Sequence, residues 1–331
     1  MKRLFALCLC LLPGFARADS DPVTRALNGV ILPAFAQLAR STATLSDAAR
    51  TDCRADSPGL QAAYNAAFDA WLGVEPYRAG PLEDEARGLA IAFWPDLKGA
   101  TPRTLKALLA QPAIPQGAAF ADTSVAGRGL FALEAMIYDP AFNRYGPGDP
   151  ACQLVQAIAA DLAQTAGSAN QQWITSFGPL MLTAGAPGNT RFLSPDEVIQ
   201  ELFTATLTEL EFIADTRIAR PLGDDRARPN RAEARLSGRS LRNVTLSVDA
   251  AARLATALAG TTDSDMTARL DYVGYAAGQI RDPVFADADT TSGHFRLAEL
   301  QNAVRAARDA VQADLGARLG VAQGFNALDG D

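Results

Sequence analysis

Apolar residues recur at spacings of three and four along most of this 331-residue chain, and this periodicity constrains the fold more than any other feature. In an α-helix, residues at these spacings form one apolar stripe that has to be buried. No segment shows sustained alternation of apolar and polar residues, and β-branched residues are scattered rather than grouped. The sequence therefore predicts an all-α fold of helical bundles.

One helix has an especially clear beginning. Ser194 is placed as an N-cap, Pro195 as the first helical residue, and Glu197 where its carboxylate reaches back to the amide of the cap. This helix is predicted to run to about Ile218. Further helices are predicted from Asp21 with a bend at Pro33, at residues 58–76, 101–110, 124–138, 150–180, 239–259 and 264–281, and along an apolar stripe from Leu297 to Leu319.

A Gly/Pro-rich stretch at residues 183–189 lies between two predicted helices and is the best candidate for a domain boundary. We therefore expect an N-terminal helical bundle over residues 19–183 and a C-terminal one over residues 190–331. Each half contains a similar phrase, GRGL at 127–130 and GRSL at 238–241. The phrases favour a duplicated bundle, although chance similarity in an Ala- and Arg-rich chain explains them equally well.

The first residues have the pattern of a secretory signal peptide. Lys2 and Arg3 precede an apolar run at residues 4–12, and the tripeptide Ala16-Arg17-Ala18 has small residues where the signal peptidase requires them. The apolar run is about half as long as a bilayer span. We expect cleavage after Ala18, an exported protein in the periplasm or at the cell surface, and no transmembrane segment in the mature chain.

The mature chain is acidic. Residues 1–18 contain three of the 30 Lys and Arg residues and none of the 37 Asp and Glu residues, so removing them leaves 27 positive charges against 37 negative ones, a net charge of −10. This charge argues against nucleic acid and anionic lipid as partners, and it is compatible with cations.

Two of the four cysteines, Cys53 and Cys152, remain after cleavage. In an oxidising compartment an even pair predicts a disulfide, with two separate buried thiols as the alternative. Such a bond closes a loop of about 100 residues, which the chain-entropy treatment values at roughly 4–5 kcal/mol.

The sequence excludes several kinds of catalytic site. It has one histidine, His294, so it cannot form an HExxH zinc site, a triad of two histidines and a carboxylate, or a three-histidine site. It also has no GxSxG elbow, Walker loop, dinucleotide fingerprint or CxxC pair. His294 follows Gly293 near the start of the last helix, where an exposed or capping role is expected.

Several phrases resemble one family. Residues 127–134 (GRGLFALE) look like the central GxHxxE motif of imelysin-like proteins, and residues 235–241 (RLSGRSL) look like the Ser-rich signature of their second half. The C-terminal residues 319–331 are similar to the characteristic end of that family. The remaining matches are Trp71, Glu75-Pro76, Gly80-Pro81 and Phe93-Trp94-Pro95-Asp96. The resemblance covers the mature chain from about residue 22.

The resemblance implies two packed helical bundles in an exported protein. Many members of the family are linked to iron regulation or uptake, and some are classed as metallopeptidases. It also implies a metal or ligand site where Gly129, a histidine and Glu134 meet, with the last two on one helical face. In this chain Phe131 occupies the histidine position, so the imidazole is missing. One Glu cannot both hold a metal and act as its general base, which argues against peptidase activity.

Glu134 is the best functional candidate, because it lies within an apolar phrase where an unpaired charge is costly to bury. It either binds a ligand or pairs structurally with Arg128, Arg87 or Arg239. Glu75 and Asp96 are acidic residues in sequence segments that resemble the imelysin-like family.

With Glu134, these two carboxylates are candidates for an all-oxygen site for a divalent cation or iron. Arg239 and Ser240 either cap a helix or bind an anion, and a cap is favoured. Trp71 and Trp94 are expected in the core.

Three functional classes follow. The favoured class is a non-catalytic exported binding protein of the cell envelope, tied to iron acquisition through carboxylate ligands or an envelope protein partner. The second is a metallopeptidase of the imelysin type, against which the missing histidine counts. The third is a structural or adaptor protein that has kept the bundle and lost the site, which Phe131 favours.

Overall fold

The structure, a computed structural model, describes residues 21–261 and 265–322. Within these ranges the chain forms α-helices, short 3-10 turns and π segments, and no β-strand. The all-α prediction is confirmed. The predicted signal peptide and residues 323–331 of the family-like C-terminus lie outside the described residues.

The helices of the N-terminal half pack mainly on one another. In chain order they are α1 (Pro22–Ala26), α2 (Leu32–Thr51), α3 (Pro58–Leu72), α4 (Arg87–Ile91), α5 (Ala100–Leu109), α6 (Ala118–Ala121), α7 (Gly129–Tyr138), α8 (Pro150–Gln172) and α9 (Gly178–Leu182). The two long helices α2 and α8 lie side by side, α3 packs on α2, and α7 packs against α3 and α8.

The C-terminal half has a second group of long helices. It consists of α10 (Pro195–Phe212), α11 (Ala219–Leu222), α12 (Ser240–Ala259), α13 (Asp265–Gly278) and α14 (Thr291–Leu319). Helix α10 packs between α12 and α14, and α13 lies along α14. Residues 183–189 form a largely exposed turn between the halves.

The apolar core continues from one half into the other. Helix α1 belongs to the first half by sequence, yet it packs on α12, where the guanidinium of Arg25 donates to the carbonyl oxygens of Ala257 (2.8 Å) and Leu258 (3.0 Å). Helix α3 also contacts α12. The division into two domains at residues 183–189 therefore stays a prediction.

The disulfide prediction is confirmed. Cys53 lies just beyond the end of α2 and is bonded to Cys152 in the first turn of α8, at a sequence separation of 99 residues. The bond links the two neighbouring long helices of the N-terminal half at one end. It thereby reduces the conformational freedom of the unfolded chain between them.

Three π segments join consecutive helices without a break: Leu27–Ile31 joins α1 to α2, Trp173–Phe177 joins α8 to α9, and Ile213–Ile218 joins α10 to α11. Each is followed within three residues by a proline, namely Pro33, Pro179 and Pro221. A proline inside a helix lacks the donor N–H and its ring crowds the carbonyl four residues earlier. A widened turn accommodates this crowding without ending the helix. The irregularity expected at Pro33 takes this form.

The predicted start of α10 is confirmed with one difference. The Ser194 hydroxyl accepts the amide of Glu197 at 3.3 Å, as an N-cap does. The Glu197 carboxylate reaches one residue further back than expected and accepts the amide of Leu193 at 2.7 Å.

No helix among residues 21–261 and 265–322 is both long enough and apolar enough to cross a membrane.

Candidate functional site

Helix α7 begins where two backbone segments touch. Gly129 has a φ of +67°, and a Cβ atom at this position would lie 2.2 Å from the carbonyl oxygen of Ile91 and 2.3 Å from that of Ala90. No side chain fits there, and the left-handed conformation itself favours glycine. The glycine of the GxHxxE motif therefore allows α7 to approach the end of α4.

Phe131 lies in the first turn of α7, in an aromatic environment. Its ring packs edge-on against Phe68, with centroids 5.5 Å apart, and is stacked with Trp94 at 6.3 Å. Trp94 in turn makes an edge contact with Phe212 at 6.1 Å. Phe131 is only 8% exposed. The position of the family histidine is thus part of an aromatic group that reaches the second half through the contact of Trp94 with Phe212.

Glu134 lies one turn further along α7 and is buried. Its Oε1 accepts the backbone amide of Ser237 at 2.9 Å and the Ser237 hydroxyl at 2.7 Å. Burial raises the pKa of Glu134 above its ordinary value, and the two hydrogen bonds from Ser237 oppose that shift. The first-half motif and the second-half signature thus meet directly.

None of the arginines considered as structural partners of Glu134 binds it. Each donates to a different acceptor: Arg128 to Asp161, Arg87 to Glu85 and Gln172, and Arg239 to Asp69 and Asn65. The pairing hypothesis is therefore wrong. The carboxylate is satisfied instead by a serine 103 residues away, a contact that no local spacing reveals.

Arg239 and Ser240 have structural contacts at the start of α12. The Arg239 guanidinium lies 4.7 Å above the ring of Phe68 and donates to Asp69 and Asn65 of α3. The Ser240 hydroxyl donates to the carbonyl oxygen of Glu233 at 2.5 Å. No side-chain hydrogen bond caps the start of α12, so the predicted cap is not formed by these residues.

The π segment that follows α10 places Arg217 in a buried charge cluster. Its guanidinium donates to Glu75, to Oε1 of Glu209 (2.9 Å) and to Oε2 of Glu233 (2.7 Å). It also donates to the Ser247 hydroxyl at 2.9 Å. These five residues are almost fully excluded from solvent. We call them the Arg217 cluster.

The Arg217 cluster has more carboxylates than guanidinium groups. Arg217 and the half-exposed Arg78, which binds Glu75 at 3.1 Å, supply two positive charges against three glutamates. Oε2 of Glu209 is buried and has no hydrogen-bond partner. Burial, and next the charge of Glu75, raise the pKa of Glu209 to about 7. A proton on Glu209 thus balances the cluster near neutral pH.

A cavity of about 1000 Å³ adjoins the Arg217 cluster. It lies between α10, the segment that follows α3, and residues 319–321 at the end of α14. Glu209 and Arg78 belong both to its lining and to the surroundings of Arg217. Cavities of this size hold small organic molecules in other proteins.

A model of the family described as imelysin, Peptidase M75, matches residues 31–311, which is most of the sequence. The chain belongs to the imelysin family. No curated protein matches the sequence.

Two solved structures are similar in fold. One is an imelysin-like protein from Psychrobacter arcticum 273-4, with a TM-score of 0.77 and 18% identity over 92% of this chain and 96% of that one. The other is an iron-regulated protein A precursor from Parabacteroides distasonis ATCC 8503, with a TM-score of 0.65 and 14% identity over 88% of this chain and 94% of that one. At these identities the likeness establishes the fold alone.

The structure does not bring together the three carboxylates that were considered for an all-oxygen cation site in this imelysin-family chain. Glu75 binds Arg217, Glu134 binds Ser237, and Asp96 accepts the amides of Ala100 and Thr101, both at 2.8 Å, at the start of α5. The described part of the chain contains no group of three or more His, Cys, Asp or Glu side chains that could hold a metal ion. His294 is exposed near the start of α14, as expected.

The sequence analysis missed Glu209, Arg217 and Glu233. One signal was present: Arg217 continues the apolar stripe of α10 four residues after Ile213, where a charged residue has to be buried. A charge on a buried stripe predicts a buried counter-ion. The stripe does not tell which carboxylates supply it.

Substitution of Gly129 by alanine tests the close contact of α7 with α4. We expect Gly129→Ala to lower the free energy of unfolding by about 2–5 kcal/mol, because the methyl group meets carbonyl oxygens and φ is positive. Gly167→Ala, within α8 and facing open space, should raise it by about 0.5–1 kcal/mol. Urea unfolding measures both. Equal effects of the two substitutions would contradict the assigned contact.

The raised pKa of Glu209 predicts a pH dependence of stability. The folded protein keeps this proton between the ordinary glutamate pKa of 4.5 and about 7, where the unfolded chain has lost it. Over that range the free energy of unfolding should fall as pH rises. Glu209→Gln should reduce this slope by up to about 1.4 kcal/mol per pH unit. Urea unfolding across this range, with Glu211→Gln as control, checks it; an unchanged slope in Glu209→Gln would refute the assignment.

Proposed function

We propose that this imelysin-family member is a non-catalytic binding protein, exported to the periplasm or cell surface. The observation that carries the proposal is the state of the GxHxxE region. The histidine position holds Phe131 in an aromatic contact with Phe68 and Trp94, and Glu134 is occupied by Ser237. The two motif positions whose side chains would bind a metal and activate water in a metallopeptidase are thus engaged in packing and in internal hydrogen bonds.

The chemistry of a zinc peptidase supports the same conclusion. Such a site needs about three protein ligands, an open coordination position, and a carboxylate that acts as general base. The Oε1 atom of Glu134 already accepts two hydrogen bonds from Ser237, and the described residues contain no group of three His, Cys, Asp or Glu side chains that could hold a metal ion. A metallopeptidase is therefore the less favoured function.

A binding role is supported by the cavity of about 1000 Å³ beside the Arg217 cluster. Export is supported by the basic, apolar and small-residue pattern of residues 1–18. The Parabacteroides neighbour is named as an iron-regulated protein. On these grounds we extend the proposal to a role in iron acquisition, through a ligand of this cavity or a protein partner in the envelope.

One observation favours a second function. Phe131 packs against Phe68 and Trp94 at the histidine position. This packing also fits a structural or adaptor protein that has kept the bundle and lost the site. The two functions differ in whether the mature protein binds a small ligand. They agree in predicting the absence of peptidase activity.

Restoring the histidine tests the proposal. We expect the mature wild-type protein to show no metal-dependent cleavage of casein. Phe131→His should increase the affinity for Zn²⁺ at least about tenfold, since it adds an imidazole one turn from Glu134. Isothermal titration calorimetry measures the affinity. Phe142→His is the matched control, because Phe142 is also 8% exposed.

The added Glu134→Gln substitution should abolish the gain. Zn²⁺-dependent cleavage by the wild-type protein that disappears in Glu134→Gln would overturn the non-catalytic assignment.

A further inference from the structure

The cavity beside the Arg217 cluster has a lining that points to a ligand class. We propose that it binds a small organic cation with a primary ammonium group, and that the buried carboxyl group of Glu209, which gives up its proton when the cation binds, is the anionic partner. The inference rests on the proposed binding function and specifies its ligand. Its site is distinct from the GxHxxE region, because Glu134 contacts Ser237 and is not among the residues that line this cavity.

The lining is predominantly negative. It includes five carboxyl groups and two guanidinium groups: Glu83, Asp196, Glu197, Glu201, Glu209, Arg78 and Arg191. Both guanidinium groups already have carboxylate partners, since Arg78 binds Glu75 at 3.1 Å and Arg191 binds Glu201 at 2.5 Å. The two basic side chains are thus not free to attract an anion. The electrostatic field of the remaining carboxyl groups favours a cation.

Two polar atoms of the lining residues lack partners. Oε2 of Glu209 and Oγ1 of Thr208 are both buried, and neither has a hydrogen-bond partner. Glu209 itself is only 1% exposed. A buried polar atom without a hydrogen-bond partner is costly, and the cost is greatest for an ionised carboxylate. A donor supplied by a ligand would remove this cost, which is a specific reason to expect a ligand here.

An ammonium group fits these unpartnered oxygen atoms better than a metal ion does. Hard cations require about six to eight converging oxygen atoms, and the described residues provide no group of three acidic, histidine or cysteine side chains for one. An ammonium group needs fewer acceptors, because it donates up to three hydrogen bonds.

Apolar residues contribute the rest of the wall. Pro76 and Ala79 lie on the side of the α3–α4 connection, Ala205 on α10, and Leu319 and Val321 at the end of α14. These side chains suit the methylene groups of an aliphatic amine. The cavity thus combines an acidic anchor with an apolar wall, as expected for an amphipathic cation.

The test uses 1,5-diaminopentane as the probe and 1,5-pentanediol as a neutral analogue of matched length. We expect isothermal titration calorimetry on the mature protein to detect binding of the diamine and not of the diol. Glu209→Gln should weaken diamine binding about 10- to 100-fold, because it replaces a charge-assisted hydrogen bond by a neutral one. Thr208→Val should weaken it by a smaller factor, about 2- to 10-fold.

Glu211→Gln is the matched control. It removes a carboxyl group from the same helix at a position outside the cavity lining and should leave the affinity unchanged. Circular dichroism and urea unfolding confirm that each variant is folded. Since glutamine has the shape of glutamate and can still accept from Arg217, we expect Glu209→Gln to fold.

Three results would overturn the inference. They are diamine binding of equal strength in wild type and Glu209→Gln, equal binding of the diol, and no detectable binding of the diamine at millimolar concentration. Binding of Mg²⁺ or Ca²⁺ that is lost in Glu209→Gln, without diamine binding, would also overturn it by identifying a metal site. The Phe131→His zinc titration and the casein assay do not involve this cavity, so their outcome separates failure of the proposed function from failure of this inference.

Discussion

The buried guanidinium of Arg217 is the interaction on which the arrangement of the two halves depends. It binds Glu75, which follows α3 in the first half, and Glu209 and Glu233 in the second half. Burying one cation with three carboxyl groups is costly unless every member is paired or neutralised. The contacts of Ser247 and Arg78, and the raised pKa of Glu209, meet that requirement. The cluster therefore specifies one relative position of the halves.

The same cluster orients the turn that carries the second-half signature. Glu233 binds Arg217 through its carboxylate, and its carbonyl oxygen accepts the hydroxyl of Ser240. Between these residues, Ser237 donates to Glu134 of α7. Ser237, the partner of Glu134, is thus positioned by the Arg217 cluster, although Glu134 is not a member of that cluster.

An aromatic row makes a second connection between the motif and the cluster. Phe131 contacts Trp94, Trp94 contacts Phe212, and the Arg217 guanidinium lies 5.0 Å above the ring of Phe212. An imidazole at position 131 would replace one ring of this row. Phe131 is thus the first ring of this row, at the position where the resemblance to imelysin-like proteins implies a nitrogen ligand.

Those features that depend on local pattern could be predicted from the sequence. Apolar periodicity and the Ser194 cap placed α10, and the count of two mature cysteines predicted the bond between Cys53 and Cys152. The phrase around Gly129 located the motif helix. These signals arise from residues a few positions apart or, for the disulfide, from two cysteines that allow only one pairing.

The features that the sequence did not predict are polar contacts between distant residues. Glu134 and Ser237 are 103 residues apart, and Glu75 and Arg217 are 142 apart. Local spacing shows that a buried charge needs a partner, but several arginines fit that need equally well. Asp96 illustrates the same ambiguity, because a carboxylate in a family phrase served as a cap for α5 instead of a cation ligand.

The stability of Arg217→Met is the most direct test of the role given to the cluster. Removing the guanidinium leaves buried carboxyl groups without their cation. We predict that the free energy of unfolding at about pH 8 falls by about 3–5 kcal/mol or more. The loss should be smaller at about pH 5.5, where protonation neutralises Glu209, whose pKa is raised by burial. Urea unfolding that shows the same stability as wild type at both pH values would contradict this account.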